Sequence, residues 1–307
     1  MGARGLYNWR VFDINQPVAG ALQANPGKNV TFLRPYRGFA AIQQEQSNGS
    51  AKYDSLEVAW NRRFTNGFMF GFSYTWSKSM DNGSNYRDIV PDTYNTTNLW
   101  GPSEYDARNA AVVNYLYVLP FMQNQTTLTS KLLGGWRLSG SAQFQTGQPC
   151  GIGTNNDSAG VGEVGSFGCG SQGQFYVKNG QPRILKQFAG YPGSTGQYFS
   201  TKNFDGSSLF TAPTAGTFNL QRGVRNSIYG PGFQNWNLSV RKSFPINERS
   251  QFQFSTDAYN FVNHPNWAQI GQTGGPDLNP TSGTFGRVTQ KSTTNPRQLQ
   301  VALQFIF

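Results

Sequence analysis

Ionisable side chains are scarce in this 307-residue chain: Asp, Glu, Lys and Arg together make up 13%, against about 25% in an average soluble protein. Long apolar runs are missing too. No stretch of about 18 consecutive apolar residues occurs, which excludes a transmembrane helix, and the mean hydropathy of -0.52 agrees. There is one histidine, His264, and there are two cysteines, Cys150 and Cys169. Two distant cysteines and one remote histidine match no usual metal-ligand spacing, so no metal site is expected. A serine–histidine hydrolase would have to use His264 as base and a carboxylate such as Asp257, with no serine that can be nominated. His264 beside Pro265 reads as an ordinary loop residue, and the glycine-rich stretch 160–173 lacks the lysine and strand-to-helix setting of a phosphate loop. No enzyme activity and no cofactor are expected.

What is present is equally one-sided. Aromatic residues reach 15%, glycines number 36, and the net charge is +10. The basic residues are scattered rather than clustered, so the charge solvates strands and loops and gives no footprint for nucleic acid. The final eleven residues, Arg297-Gln-Leu-Gln-Val-Ala-Leu-Gln-Phe-Ile-Phe307, alternate with period two. Leu299, Val301, Leu303, Phe305 and Phe307 fall on one face, and Gln298, Gln300, Ala302, Gln304 and Ile306 on the other. A tilted membrane-spanning strand needs roughly 9–11 residues, with its apolar side to lipid and its polar side to a wet interior.

The same pattern recurs. Strands are expected at about 53–64, 68–80, 108–120, 132–148, 233–244, 251–262 and 297–307. An eighth at 6–12 would place Tyr7, Trp9 and Val11 on one face. Strand 68–80 is the clearest: Phe68, Phe70, Phe72, Tyr74 and Trp76 alternate with small or polar residues, forming a lipid contact that ends in an interfacial girdle. Trp136 and Trp236 belong with this lipid-facing set, as do Leu299, Val301, Leu303 and Phe305. For 108–120 the two faces are equally apolar, and the sequence does not choose between them. Asn66-Gly67 is a tight-hairpin signal. Connections alternate between short ones and the long, polar stretches 81–107, 149–232 and 263–296, the asymmetry of short periplasmic turns and long extracellular loops. An irregular stretch as long as 149–232 is functional or disordered. Glu57, Arg63, Arg137, Arg241 and Asp257 fall on the inner, polar face. They either line a substrate path or grip an inserted domain, or they are the ordinary polarity any wet lumen requires.

Cys150 and Cys169 share one glycine-rich loop, and a disulfide between them, fitting an oxidising compartment, stays open beside two unpaired thiols. Met1-Gly-Ala-Arg-Gly-Leu-Tyr-Asn-Trp has no apolar segment of a signal peptide. The expectation is therefore a fragment, or a gene read from an internal methionine.

Several words, in this order, carry a family likeness: Tyr53-Asp-Ser-Leu-Glu-Val, Arg62-Arg-Phe-Thr-Asn-Gly67 and Phe72-Ser-Tyr-Thr-Trp-Ser-Lys-Ser79 come first. Leu133-Gly-Gly-Trp-Arg-Leu-Ser-Gly140, Gln145-Thr-Gly-Gln-Pro149 and Gly230-Pro-Gly-Phe-Gln-Asn-Trp-Asn-Leu-Ser239 follow. Ala258-Tyr-Asn-Phe-Val-Asn-His-Pro-Asn266 and the terminal strand complete the series. From about residue 34 onward the chain resembles the C-terminal barrel of TonB-dependent receptor-like outer-membrane proteins of the Oar-like, acidobacterial type. That resemblance implies a barrel of about 22 strands, an N-terminal plug that this sequence lacks, and import of a siderophore or oligosaccharide driven by the TonB complex through that plug. It also implies a bacterial outer-membrane location, contact with outer-membrane lipid, and recognition of Phe307 by the barrel-assembly machinery. The sequence is thus read as one all-β domain over residues 1–307, a partial antiparallel transmembrane barrel of seven or eight meander strands. The alternatives are a surface-exposed structural or adhesive outer-membrane protein, a complete small barrel, and a soluble all-β binding module. Five aromatic rings on one strand argue against the last.

Overall fold

Strands form where the alternation is strongest. A computed structural model describes residues 1–307 apart from 87, 123, 125, 155, 166, 168, 170–172, 189–192, 248 and 291–295. Its eight long strands are β1 (Gly2–Asp13), β2 (Gln43–Thr65), β3 (Phe68–Asp81), β4 (Asn109–Val118), β5 (Trp136–Gln145), β6 (Phe233–Pro245), β7 (Gln251–Tyr259) and β8 (Gln298–Ile306). They pair in sequence order as one antiparallel meander, with Gly101–Pro102 adding a short piece to β3. Among the described residues β1 and β8 do not pair with each other, so the sheet is open at both edges. The fold is all-β, built on one open antiparallel meander sheet.

β2 is the longest strand, with 23 residues; at about 3.3 Å per residue it extends far past a hydrocarbon layer of about 30 Å. Its two neighbours divide it. β3 pairs with positions 51–65, and β1 pairs with 43–54. β1 therefore flanks only the half of β2 nearer the long loops, and the two neighbours overlap only along 51–54. Segments 14–42, 82–108, 146–232 and 260–297 all leave the sheet at that loop-bearing end, while 66–67, 119–135 and 246–250 connect strands at the opposite end.

Several expectations change in detail. Tyr7 does not share a face with Trp9 and Val11: it sits at φ 62 where the β1–β2 register shifts, and it has no partner there. β5 starts at Trp136 rather than at 132, because Leu128–Leu133 forms a short helix closed by a capping box between Thr127 and Ser130. It ends at Gln145, where Gly147 approaches the Gly230 carbonyl so closely that a Cβ would lie 2.0 Å from it. β7 ends before Asn260, which turns into the left-handed region at φ 48.

Buried side chains are not where a soluble sheet would keep them. The strands of the central meander are exposed or half-exposed on both faces over most of their length. The two hydrophobic cores lie in the loops instead. One gathers Cys150, Ile152, Tyr198, Phe199, Leu209, Phe210, Ile228, Trp267, Ile270, Leu278 and Val288. The other joins the end of β1, through Phe12, to Val90, Leu99, Phe167, Phe175 and Val224. The described residues of 149–232, a stretch that sequence periodicity leaves blank, are held by burial, with short two-residue ladders such as Gly153–Thr154 against Gln174–Phe175.

The β2–β3 hairpin turns on Asn66 and Gly67, at φ 53 and 76, as a two-residue turn requires. A Cβ on Gly67 would lie 2.9 Å from the Val118 carbonyl. Gly67→Val should therefore lower folding stability by about 1–2 kcal/mol or more from the left-handed backbone alone, read as a lower urea midpoint. An unchanged midpoint would contradict this account of the turn.

Candidate functional site

Directly paired residues of neighbouring strands share a face, so the register traces each face across the sheet. One row runs Trp60, Phe72, Val113, Ala142 and Trp236. A second runs Phe68, Tyr117, Leu138, Val240, Thr256 and Val301. Phe70, Tyr74, Trp76 and Trp136 fall on this same face, and so do Leu299, Leu303 and Phe305. The choice left open for β4 is settled here: Val113, Tyr115 and Tyr117 oppose Phe72, Phe70 and Phe68, and so join the aromatic face. The rings meet edge-on rather than inside a core, Trp60 on Phe70 at 5.4 Å and Phe144 on Trp236 at 5.0 Å. Gly140 keeps room for a neighbouring ring, since a Cβ there would stand 2.6 Å from the Tyr115 hydroxyl.

Sequence reasoning missed cations on this face: Arg62 opposes Phe70, with its guanidinium 5.3 Å from the Phe68 ring centre, and Lys242 is another. Lys242 opposes Trp136 and Phe254 on the apolar side. Its ammonium donates to the Gly134 carbonyl and sits 5.1 Å and 4.8 Å from the Trp136 and Phe244 ring centres. A cation at the end of an apolar face is satisfied by one carbonyl and two rings. Trp136, its cross-strand partner, and Phe244, two residues along the same strand, were the available signal.

The opposite face is polar. Asn61, Gly71, Asn114, Ser141 and Asn237 stand side by side across five strands, and Asn237 donates to Ser141 Oγ at 3.3 Å. A Cβ on Gly71 would lie 2.1 Å from Asn114 Oδ1, so glycine lets this row close up. Glu57 lies here opposite Thr75, and Asp257 opposite Ser239 and Gln300. Arg137 and Arg241 face each other directly; like charges so placed repel unless water or a counter-charge screens them. Arg63 falls within the irregularity between Arg62 and Thr65, so simple alternation does not place it. Among the described residues no ion pair joins these five groups.

At the loop-bearing end the strand termini are pinned by charge. Asp13, the last residue of β1, binds Arg34 at 2.8 Å, and Arg34 also holds Glu163. Asp81, the last residue of β3, binds Arg225 at 2.7 Å. Arg225, fully buried, donates further to the Asp81 carbonyl and to Ser84 Oγ at 2.8 Å and 2.6 Å. Lys78 reaches Asp106 at 3.2 Å and the Tyr229 hydroxyl at 2.9 Å, and that hydroxyl donates to Asp106. Burial, and then the bond to Asp106, push the Tyr229 phenol well above its ordinary range. Cys150 and Cys169 are joined as a disulfide with Cα atoms 5.6 Å apart, closing the first loop core.

An open cavity of about 790 Å³ lies where this loop body meets the apolar face. Tyr74, Ala111, Phe144 and Gln234, one row of that face, form its floor. Phe188, Tyr198 and Trp267 form its wall, with Phe188 stacked on Trp267 at 4.7 Å and 5°. Arg108, Lys186 and His264 edge it, and among the described residues no carboxylate lines it. His264 is therefore brought to a cavity but not to Asp257, and its Nδ1 is buried without a hydrogen-bond partner. Another cavity, of about 820 Å³, lies over the 18–37 loop, where Arg34 is already engaged by its two carboxylates.

Glu104 is the most perturbed carboxyl of the loop body. Burial, and then the negative charge of Asp88, raise it from 4.5 to about 7, against the opposing pull of Arg225. Between those values the folded protein keeps a proton that the unfolded chain releases, so stability falls as pH rises through the window and is lowest above about pH 7. Glu104→Gln should raise the near-UV melting temperature above that pH and leave it unchanged below the ordinary carboxylate value. A loss of stability at both extremes would contradict the assignment.

A family model described as outer membrane beta barrel domain matches residues 1–300. No curated protein matches. Among solved structures, the ferric-catecholate import receptor Fiu of E. coli K12, in its closed form, is similar at 13% identity and a TM-score of 0.34, over 86% of this chain and 22% of that one.

Proposed function

This chain belongs to the outer membrane β-barrel domain family and so sits in the bacterial outer membrane; from that premise we propose that it is the barrel portion of a TonB-dependent receptor-like importer. The observation that carries this reading is the open sheet. β1 covers one edge of β2 only along 43–54, which leaves 56–65 of that edge without backbone partners, and among the described residues β1 and β8 do not meet. An unpaired edge is not tolerated in hydrocarbon, so further strands must cover it, and the barrel is wider than eight strands. The aromatic face then meets lipid. The Asn61–Asn237 row, with Glu57, Arg137, Arg241 and Asp257, lines a wet interior wide enough to take a plug. The order of sequence words quoted above supports the same family. Gated uptake would belong to the whole receptor, with a siderophore or oligosaccharide as substrate class and the TonB complex acting on the plug.

The packed loop body favours a second reading, a surface-binding or adhesive protein for which the barrel is an anchor. Reading the gene in frame upstream of Met1 separates the wide barrel from a small one: further strand pairs and a plug are expected, and a stop codon with its own promoter would sink the proposal. Substrate uptake that stops when the proton-motive force is collapsed supports import, whereas surface binding that persists without uptake supports adhesion.

Phe307 continues the apolar face of β8, its ring 5.6 Å from that of Phe305, and it is largely exposed. We assign it to recognition by the barrel-assembly machinery. Deleting Phe307 should reduce the yield of membrane-inserted, heat-modifiable protein far more than deleting Met1; equal yields would refute the role.

A further inference from the structure

The cavity between the loop body and the apolar face is on the wrong side of the sheet for a transported substrate. Its floor of Tyr74, Ala111 and Phe144 continues directly into the row of Phe72, Val113, Ala142 and Trp236. That row is placed in lipid by the function proposed above, and the present inference rests on that placement. The cavity then opens toward the membrane at the height where the apolar rows give way to Asn109 and Gln234, with the Lys78–Asp106–Tyr229 cluster beside it.

Its chemistry is asymmetric in a useful way. The floor is flat and aromatic, suited to the first methylenes of an acyl chain or a lipid backbone. Arg108 and Lys186 line the cavity, with no carboxylate among the described lining residues. Asp106, the nearest acid named in the cluster, is already engaged by Lys78 and Tyr229. Arg108 also bonds the Tyr229 hydroxyl, and among the described residues neither Arg108 nor Lys186 forms an ion pair; two such cations at the edge of an apolar floor complement an anion that carries a hydrocarbon tail. We infer that this cavity binds the phosphorylated headgroup of an outer-leaflet lipid, with Arg108 and Lys186 on the phosphate and the Phe188–Trp267 stack beside the glycerol or sugar. Bound there, the lipid bridges the loop segments 184–188 and 264–267 to the wall of the barrel, so it acts as a seal at the membrane surface rather than as cargo.

The test uses the full chain in maltoside micelles with phosphatidic acid as the probe, and diacylglycerol and inorganic phosphate as competitors. Phosphatidic acid should be retained saturably and be displaced by neither competitor. Arg108→Gln combined with Lys186→Gln should weaken retention by about tenfold or more, since each charged contact to phosphate is a strong one. Arg108→Lys combined with Lys186→Arg should largely restore it, which shows that charge and not folding was lost. Equal retention by the Gln double variant would overturn the proposal, as would displacement by inorganic phosphate, which would mark a site for the free anion. Quenching of Trp236 fluorescence by brominated acyl chains is read in parallel. Without quenching, the lipid placement of the face fails; with quenching but no selective retention, only the headgroup site fails.

Discussion

Backbone pairing without water is the constraint on which the rest depends. In hydrocarbon every N–H and C=O must find a partner within the protein, and an antiparallel ladder provides it while sending alternate side chains to opposite sides. Once register is fixed from β2 to β8, each side chain's face is fixed too. Phe72 cannot reach lipid without Val113, Ala142 and Trp236 doing the same, and Asn61 cannot face the interior without Asn114 and Asn237. Local exceptions have local remedies. Glycine stands where a neighbour needs room, at 71 and 140, and Lys242 satisfies its charge on the Gly134 carbonyl between two rings.

The loops obey the opposite rule, because they sit in water and need a core of their own. They build two, and charge ties the one that includes Phe12 and Val224 to the sheet. Asp13 and Asp81 end their strands with a carboxylate that meets an arginine from elsewhere in the chain, Arg34 and Arg225. Breaking one partner of such a buried pair strands a charge and is costly, whatever the pair itself contributes. The disulfide of Cys150 and Cys169 closes a loop with a separation of 19 residues; by the chain-entropy argument a closure of that size contributes roughly 3 kcal/mol. The loop body is therefore built as a unit seated on the strand ends. Its underside creates the cavity that opens onto the apolar face.

What the sequence made legible follows from how far apart the interacting residues lie. Strand β3 and the Asn66-Gly67 turn are visible because alternation and turn chemistry are local. The faces of β4 were not, because Val112 and Val113 are equally apolar, and only pairing with Phe72 or Ser73 separates them. The bulge at Tyr7 is invisible to simple alternation, and the helix at Leu128–Leu133 hides behind two leucines that also suit a strand. The fold of 149–232 was illegible for a different reason. Its order comes from contacts such as Arg225 with Asp81, 144 residues apart, and from glycines such as Gly147 against Gly230, none of which leaves a periodic trace. The polar groups of the inner face could be named, but their roles could not, since wetness alone demands polarity.

The central claim is that the two faces of one open sheet meet two different solvents. Spin labels placed one at a time along β4 and β5, in the protein reconstituted into vesicles, test it most directly. Accessibility to oxygen, which concentrates in lipid, should peak at positions 111, 113, 115, 138 and 142, and accessibility to a water-soluble nickel chelate at 112, 114, 139 and 141, in antiphase. Uniform accessibility along both strands, or an inverted phase, would contradict the account.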